Sequence, residues 1–384
     1  MTWTPGNRLT LLRSGAEYFP AMLRAIDEAQ RELFLESYLF RNDATGRRVA
    51  AALARAARRG VAVQVLLDGF GAGDLAAQQR RAMERAGVRL LFFRPDSFRL
   101  HFKRERLRRL HRKLVVVDGN VGFVGGINII DDRVADLAPR YDYALQVEGP
   151  LVADMRAAAA KQWRQTCWRQ IKADWSHLPR RPAPPEVVGD TNAQFVRRDN
   201  LRHRRDIEAA YVHAIQHARD EIILAHAYFL PGITLRHALL AAAKRHTRVV
   251  LLLQGRIDHA LLFFATRVLY RPLLAAGVEI YEYRAGYMHA KVAVVDRIWL
   301  TVGSSNIDPF SLLTAREANV VARDTFLAGA LRDDILRHIE RDAIKVEMGH
   351  TRHSVWNRML AWLAYLMVRV ILGLTGYGKK EYRE

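Results

Sequence analysis

Two histidines, each followed two residues later by a lysine, carry the chemistry this sequence can do. His111 and Lys113 precede Asp118, Gly125, Gly126 and Asn128; His289 and Lys291 precede Asp296, Gly303, Ser304 and Asn306, every position displaced by 178 residues. The pattern His-x-Lys-x4-Asp-x6-Gly-[Gly/Ser]-x-Asn thus occurs twice, and each added fixed residue cuts chance matches about twentyfold. Along a strand, residues i and i+2 share a face, so each His–Lys pair can point into one cavity. A lone histidine in a strand is most often a core or surface filler. Two such pairs are better explained by a phosphate.

Two imidazoles and two ammonium groups converging from pseudo-symmetric halves are the parts for in-line substitution at a phosphodiester. One imidazole attacks phosphorus to form a phosphohistidine; the other protonates the departing alcohol and then deprotonates the incoming one. Lys113, Lys291, Asn128, Asn306 and the Ser304 hydroxyl would neutralise and hold the non-bridging oxygens. Each imidazole also needs a partner that fixes its tautomer. Asp142 and Glu317, about thirty residues past their histidines, are the candidates, against a bland reading as strand-end carboxylates. Asp118 and Asp296 belong to the catalytic motif but lie too far along their strands to touch phosphate, and read as structural hydrogen-bond acceptors. The layout calls for no metal or other cofactor. No compact ligand cluster such as His-Glu-x-x-His occurs, and the single cysteine, Cys167, excludes an intrachain disulfide and a Cys-based zinc site.

These residues must be positioned by a repeated α/β unit. Helical spacing of Phe19, Met22, Leu23 and Ile26 leads into an apolar strand over 33–40; a helix over 46–59, a strand over 61–67, a helix over 75–86 and a strand over 88–93 follow. Strand, helix, strand in this order marks a parallel or mixed sheet covered by helices. The second half repeats the plan: 25–33 matches 214–222, 63–67 matches 249–253 and 86–88 matches 276–278. The expected division is a first unit over 1–178, a proline-rich connector over 179–190, a second unit over 191–345 and an apolar, basic tail over 346–384.

The chain has 384 residues, half of them hydrophobic, which suffices for two packed cores. Its net charge of +20 calls for a polyanionic partner, nucleic acid or an anionic membrane surface. Arg99, Lys103, Arg104, Arg106, Arg108 and Arg109 stand immediately ahead of His111, where a charge run reads as an anion-facing rim rather than a solvated loop. The N-terminus lacks a basic head followed by an apolar run, so no signal peptide is expected. Residues 356–374 are too apolar for an ordinary surface helix and, interrupted by Arg369, short for a span. They read as an interfacial helix anchored by Trp356, Trp362 and Tyr365, with Lys379 and Lys380 beyond; the competing reading is a helix packed on the core or in a dimer interface.

The paired His-Lys-Asp motif with its following Gly-Ser-x-Asn resembles the phospholipase D superfamily over residues 7–341. The resemblance implies two pseudo-symmetric α-β-α sandwich domains with one active site at their interface, metal-independent ping-pong chemistry, His111 as nucleophile and His289 as acid/base. Residues 7–12, 66–71, 110–113, 125–128 and 303–311 are more closely similar to bacterial cardiolipin synthases of the short type without N-terminal membrane spans. That likeness implies transfer of a phosphatidyl group between two phosphatidylglycerol molecules with release of glycerol, at the cytoplasmic face of the bacterial inner membrane, by a peripheral or monotopic enzyme with no nucleic-acid partner. A hydrolase of the superfamily would carry the same residues. A nuclease would have no use for the apolar tail and normally builds its site from one motif per chain in a dimer, and a non-enzymatic lipid binder predicts eroded catalytic residues.

Overall fold

The structure is a computed structural model that describes residues 2–94, 108–133, 137–179, 185–200, 202–348 and 355–375. The basic residues Arg99, Lys103, Arg104 and Arg106, the connector prolines Pro182 and Pro184, and Lys379 and Lys380 lie outside the described residues.

The first half runs β1 (Thr4–Arg13), α1 (Ser14–Glu28), β2 (Glu32–Ser37), α2 (Ala44–Arg58), β3 (Ala62–Asp68), α3 (Ala77–Arg85), β4 (Arg89–Phe93), β5 (Leu114–Val117), β6 (Val121–Gly125), β7 (Ala138–Tyr141), β8 (Tyr143–Glu148) and α4 (Val152–Arg169). The second half repeats this order with β9 (Thr191–Arg198), α5 (Asp206–His217), β10 (Glu221–His226), α6 (Ile233–Lys244), β11 (Arg248–Gln254), α7 (Ala260–Arg267), α8 (Tyr270–Ala275) and β12 (Glu279–Tyr283). It continues through β13 (Gly286–Met288), β14 (Lys291–Val295), β15 (Trp299–Gly303), α9 (Pro309–Leu313), β16 (Glu317–Arg323), α10 (Thr325–Asp342), β17 (Ala343–Lys345) and α11 (Val355–Thr375).

The strands form one mixed sheet of fifteen, ordered β17-β12-β11-β10-β14-β15-β16-β9-β1-β8-β6-β5-β2-β3-β4. Apart from β17 the order reads alike from either end. The halves therefore join by antiparallel pairing of β1 with β9, and a short parallel pair, β7 with β13, ties them a second time. Neither β1 nor β9 was expected from the sequence, although both are central.

Successive strand residues point to opposite faces, and both faces are covered, so the inner strands are apolar throughout. Phe34, Leu66, Leu114 and Val116 face α4, and Ile223, Val292 and Val294 face α10, in one core that runs under both halves. Their neighbours Leu33, Leu35, Val63, Val115 and Val117 pack on α1, α2 and α3, while Ile222, Leu224 and Leu251 pack on the helices from α5 to α8. The helix starts follow local chemistry: Asp43 accepts from Gly46 N at 2.8 Å to open α2 and Asp324 accepts from Leu327 N at 2.9 Å to open α10.

Two local expectations are corrected. β2 ends at Ser37 rather than at residue 40, because the following loop folds back, with Ser37 Oγ donating to Leu39 O and Leu39 N to Asn128 Oδ1. His111 and Lys113 precede β5 rather than lying within a strand, and His289 precedes β14.

Candidate active site

Each histidine sits on a short extended segment pinned by the opposite half of the molecule. His111 N donates to Arg316 O at 3.0 Å and His289 N to Tyr141 O at 2.7 Å. The accepting residue in each case is the one just before a buried carboxylate, so the backbone exchange delivers Glu317 to His111 and Asp142 to His289. His111 Nδ1 lies 2.9 Å from Glu317 Oε1, and His289 Nδ1 lies 2.7 Å from Asp142 Oδ2. The sequence reading paired each carboxylate with the histidine of its own half; the structure corrects this, because the two strand ends cross at the seam. With Nδ1 occupied, Nε2 of each ring is left as the reacting atom.

The lysines complete the cluster. Lys113 Nζ donates to His111 O at 2.7 Å, and Lys291 Nζ donates to His289 O. An ammonium has three protons, so each lysine keeps donors for a phosphate oxygen. Lys291, Glu317 and Asp142 are buried, whereas the two imidazoles are 17% and 13% exposed, the opening a substrate requires. Tyr38 packs against the His111 ring at 5.1 Å and lies 5.6 Å from Lys113 Nζ.

Crowding of cations in a dry site sets the protonation states. Burial pushes the Lys113 ammonium down to about 7, with Lys291 adding to the effect, and pushes Lys291 down to about 8. Burial also lowers His111, opposed by Glu317, and lowers His289 well below its ordinary value, reinforced by Lys291, Lys113 and Arg140. The Asp142 carboxyl is raised by burial to about 6. Two neutral imidazoles beside partly charged lysines make a site poised for an anion.

The remaining motif residues divide by position. Asp118 occupies the β5–β6 turn with φ +52° and accepts from Gln30 N, Arg31 N and Glu32 N; Asp296 in the β14–β15 turn, at φ +51°, accepts from Arg219 N, Asp220 N and Glu221 N. Both hold the strand that flanks the motif strand, and neither contacts a catalytic histidine. Asn128 is buried with its oxygen engaged by Leu39 N; Asn306 is buried with Oδ1 unpartnered among the described residues. Ser304 Oγ donates to Glu317 Oε2 at 2.5 Å and accepts from Ala318 N at 3.0 Å. Its hydroxyl therefore braces Glu317, the supporting place among the roles expected of it. Asp68, which sequence reasoning did not place in the site, accepts from Leu110 N at 2.8 Å and fixes the approach to His111.

A family model described as cardiolipin synthase, PLD-like domain, matches residues 22–164 and 211–342. This chain belongs to that family.

Its relatives include cardiolipin synthase B of Escherichia coli (strain K12), 37% identical over 98% of this chain and 91% of the relative. A cardiolipin synthase of Oceanobacillus iheyensis is 28% identical over 96% of this chain and 76% of its own length. Phosphatidylserine synthase of Haemophilus influenzae shares the fold at a TM-score of 0.71 and 13% identity, covering 96% of this chain and 94% of that one. Polyphosphate kinase from Porphyromonas gingivalis shares it at 0.60 and 13% identity, with 53% of that chain covered. The resemblance to the phospholipase D superfamily and to its cardiolipin synthases is thus borne out, as is the two-lobed α/β fold.

Within this PLD-like framework the two halves differ where the motif reads Gly126 in one and Ser304 in the other. A Cβ at Gly126 would fall 2.2 Å from Asp142 Oδ1. The shorter Asp142 occupies the space that the serine side chain fills in the other half, where the longer Glu317 reaches past it to His111. The asymmetry of the two glycine/serine positions and that of the two carboxylates are therefore one feature.

Proposed function

We propose that this chain is a cardiolipin synthase that transfers the phosphatidyl group of one phosphatidylglycerol to a free hydroxyl of a second, releasing glycerol. The observation that carries this reading is the pair of crossed His–carboxylate contacts over two buried lysines, in a chain whose full-length relatives bear that name.

His111 Nε2 attacks phosphorus while Glu317 holds its Nδ1–H, and the P–O bond to the departing glycerol breaks as His289 donates a proton to that oxygen. The phosphatidyl group then resides on His111. His289, now neutral, removes a proton from the hydroxyl of the second phosphatidylglycerol, whose oxygen attacks phosphorus and displaces His111. Lys113 and Lys291 hold the non-bridging oxygens, whose negative charge also offsets the cations that depress His289 and lets it take up its proton. In a site this dry, such fixed charges act more strongly than in water.

The membrane reading rests on α11. Ala364, Val368 and Leu372 join the core, Ala361 is buried beside them, and the helix packs along α7. Its other side exposes Met359, Leu360, Trp362, Leu363, Leu366, Met367 and Val370. One face thus packs on protein, with Tyr365, expected as an interface anchor, partly buried against that core, and the other face is apolar and open. No helix among the described residues is long and apolar enough to cross a membrane. A helix half-seated in its own protein, with a bulky apolar outer face, supports peripheral attachment to an anionic bilayer. The cytoplasmic face of a bacterial inner membrane, where phosphatidylglycerol is substrate and surface at once, fits this arrangement.

The test is to supply phosphatidylglycerol labelled in both the phosphatidyl group and the terminal glycerol in mixed micelles. Cardiolipin and free glycerol in equal amounts are expected, and neither from His111→Ala or His289→Ala. Phosphatidic acid as the sole lipid product would overturn the transferase assignment.

A further inference from the structure

One residue away from the catalytic groups, on the opposite side of the same chain segments, the molecule contains a second basic cavity. Consecutive residues of extended chain point in opposite directions, so Arg112, between His111 and Lys113, and Arg316, before Glu317, turn away from the catalytic pocket. They line a cavity of about 310 Å³ with Lys161 of α4 and Arg197, Arg198 and Arg202 at and beyond the end of β9. Asp199 is the one acidic residue in that lining. Arg112 is paired with Glu36 at 2.7 Å, but the remaining cations still outnumber the acidic groups around the cavity. Arg112 and Arg198 are buried, and Arg112 Nε and Arg316 Nε are enclosed with no hydrogen-bond partner among the described residues.

The pseudo-symmetry supplies an internal control. The positions equivalent to Arg112 and Arg316 in the other half are Ala290 and Tyr141, both buried in the apolar core. There Tyr141 stacks against Tyr283 and His338, and no arginine is needed to build the seam. The fold thus does not require a guanidinium at these places. Burial first, and then Arg112, depress Arg316 to about 10, offset only in part by Asp199 and Glu36, so an excess of positive charge stands in a desolvated place that an anion would relieve.

We infer that this cavity is a phosphate-binding site separate from the catalytic one, holding the phosphate of a small headgroup or a free phosphate between Arg112, Arg316, Arg197 and Arg202. The volume stands at the lower end of the range for small-molecule sites, about 300 to 1,000 Å³, enough for a phosphate and a small polar substituent but not for acyl chains, which would have to remain outside. Guanidinium groups recognise phosphate oxygens through paired N–H donors, and Lys161 and Arg202 at the exposed rim add further cations to the cavity.

Calorimetric titration of the full chain distinguishes the site from the catalytic pocket. The probes are inorganic phosphate and dihexanoyl-phosphatidylglycerol below its micellar concentration. In Lys113→Met/Lys291→Met protein, whose catalytic clamp is removed, one equivalent of at least one probe is expected to bind still. Adding Lys161→Ala and Arg202→Ala, both at exposed positions, should weaken that binding about tenfold or more, as loss of charged hydrogen bonds does. Binding of phosphate alone identifies a free-phosphate site, and binding of the lipid alone a headgroup site. Should the buried lysine substitutions prevent folding, the same rim substitutions in the otherwise native chain are expected to lower the bound probe from two equivalents to one. Absence of binding to the clamp-deficient folded protein, or binding indifferent to the rim substitutions, would overturn the inference.

Discussion

In the proposed mechanism the two crossed His–carboxylate pairs work as catalytic units whose protonation limits the pH range of the enzyme. Asp142, raised to about 6 by burial, is charged only above that pH, and its charge is what supports an imidazolium at His289. Lys113, depressed to about 7, and Lys291, to about 8, lose their protons as pH rises through those values. A bell-shaped kcat/KM profile is therefore expected, falling below about pH 6 and above about pH 7 to 8, since kcat/KM reports the free enzyme. Asp142→Asn should remove the acid limb and lower kcat by about 10² to 10⁴, the usual worth of a positioned acid–base group; an unaltered acid limb would show that another group titrates there. Gly126→Ala is a sharper probe of geometry. The new methyl group must displace the Asp142 carboxylate, so activity should collapse while circular dichroism and Tm stay near those of the parent. A fully active Gly126→Ala protein would contradict the placement of Asp142 on His289.

At the scale of elements, the motif aspartates and the terminal helix have separable tasks. Asp118 and Asp296 each collect three backbone N–H donors at a turn in the left-handed region, a conformation aspartate tolerates better than most residues. Asp296→Ala should lower unfolding free energy by about 1 to 3 kcal/mol, the usual penalty for stranded polar groups, measured by urea titration, while kcat of the folded fraction changes little. Trp362→Glu/Leu366→Glu on the open face of α11 should leave Tm within a few degrees of the parent and abolish sedimentation with phosphatidylglycerol vesicles. Undiminished sedimentation would move the membrane contact elsewhere.

The elements that sequence made legible were those with a strong period or a repeated pattern. The α1-β2-α2-β3-α3-β4 succession follows from apolar periodicity, and the equivalence of the halves follows from the constant displacement of the two motifs. β1 and β9 were not legible because half-buried alternation such as Leu9, Leu11 and Leu12 among polar neighbours resembles an edge or a loop. Their central position comes from pairing with each other, as at Asn7 and Thr191, a contact that no local window contains. The crossing of Glu317 and Asp142 was hidden for the same reason, since it depends on which strand end meets which at the seam. Ser304 followed from the motif but its contact with Glu317 did not, because a hydroxyl is equally suited to phosphate and carboxylate.

For the whole molecule, one sheet of fifteen strands and one core shared by both halves make the site inseparable from the fold. Each half supplies a histidine and a lysine, and each supplies the carboxylate for the other's histidine, so neither half holds a complete acid–base unit. In the proposed reading, the apolar face of α11 and the net charge of +20 bring this one site to an anionic surface. The central claim is that one histidine of this shared site carries the phosphatidyl group between two lipids. Rapid quenching of the enzyme at alkaline pH with phosphorus-labelled phosphatidylglycerol, followed by peptide mapping, tests it most directly. Label is predicted on the peptide containing His111, with acid-labile and base-stable chemistry, and none is expected in His111→Ala protein. Turnover to cardiolipin with no covalent label on either histidine would contradict the account.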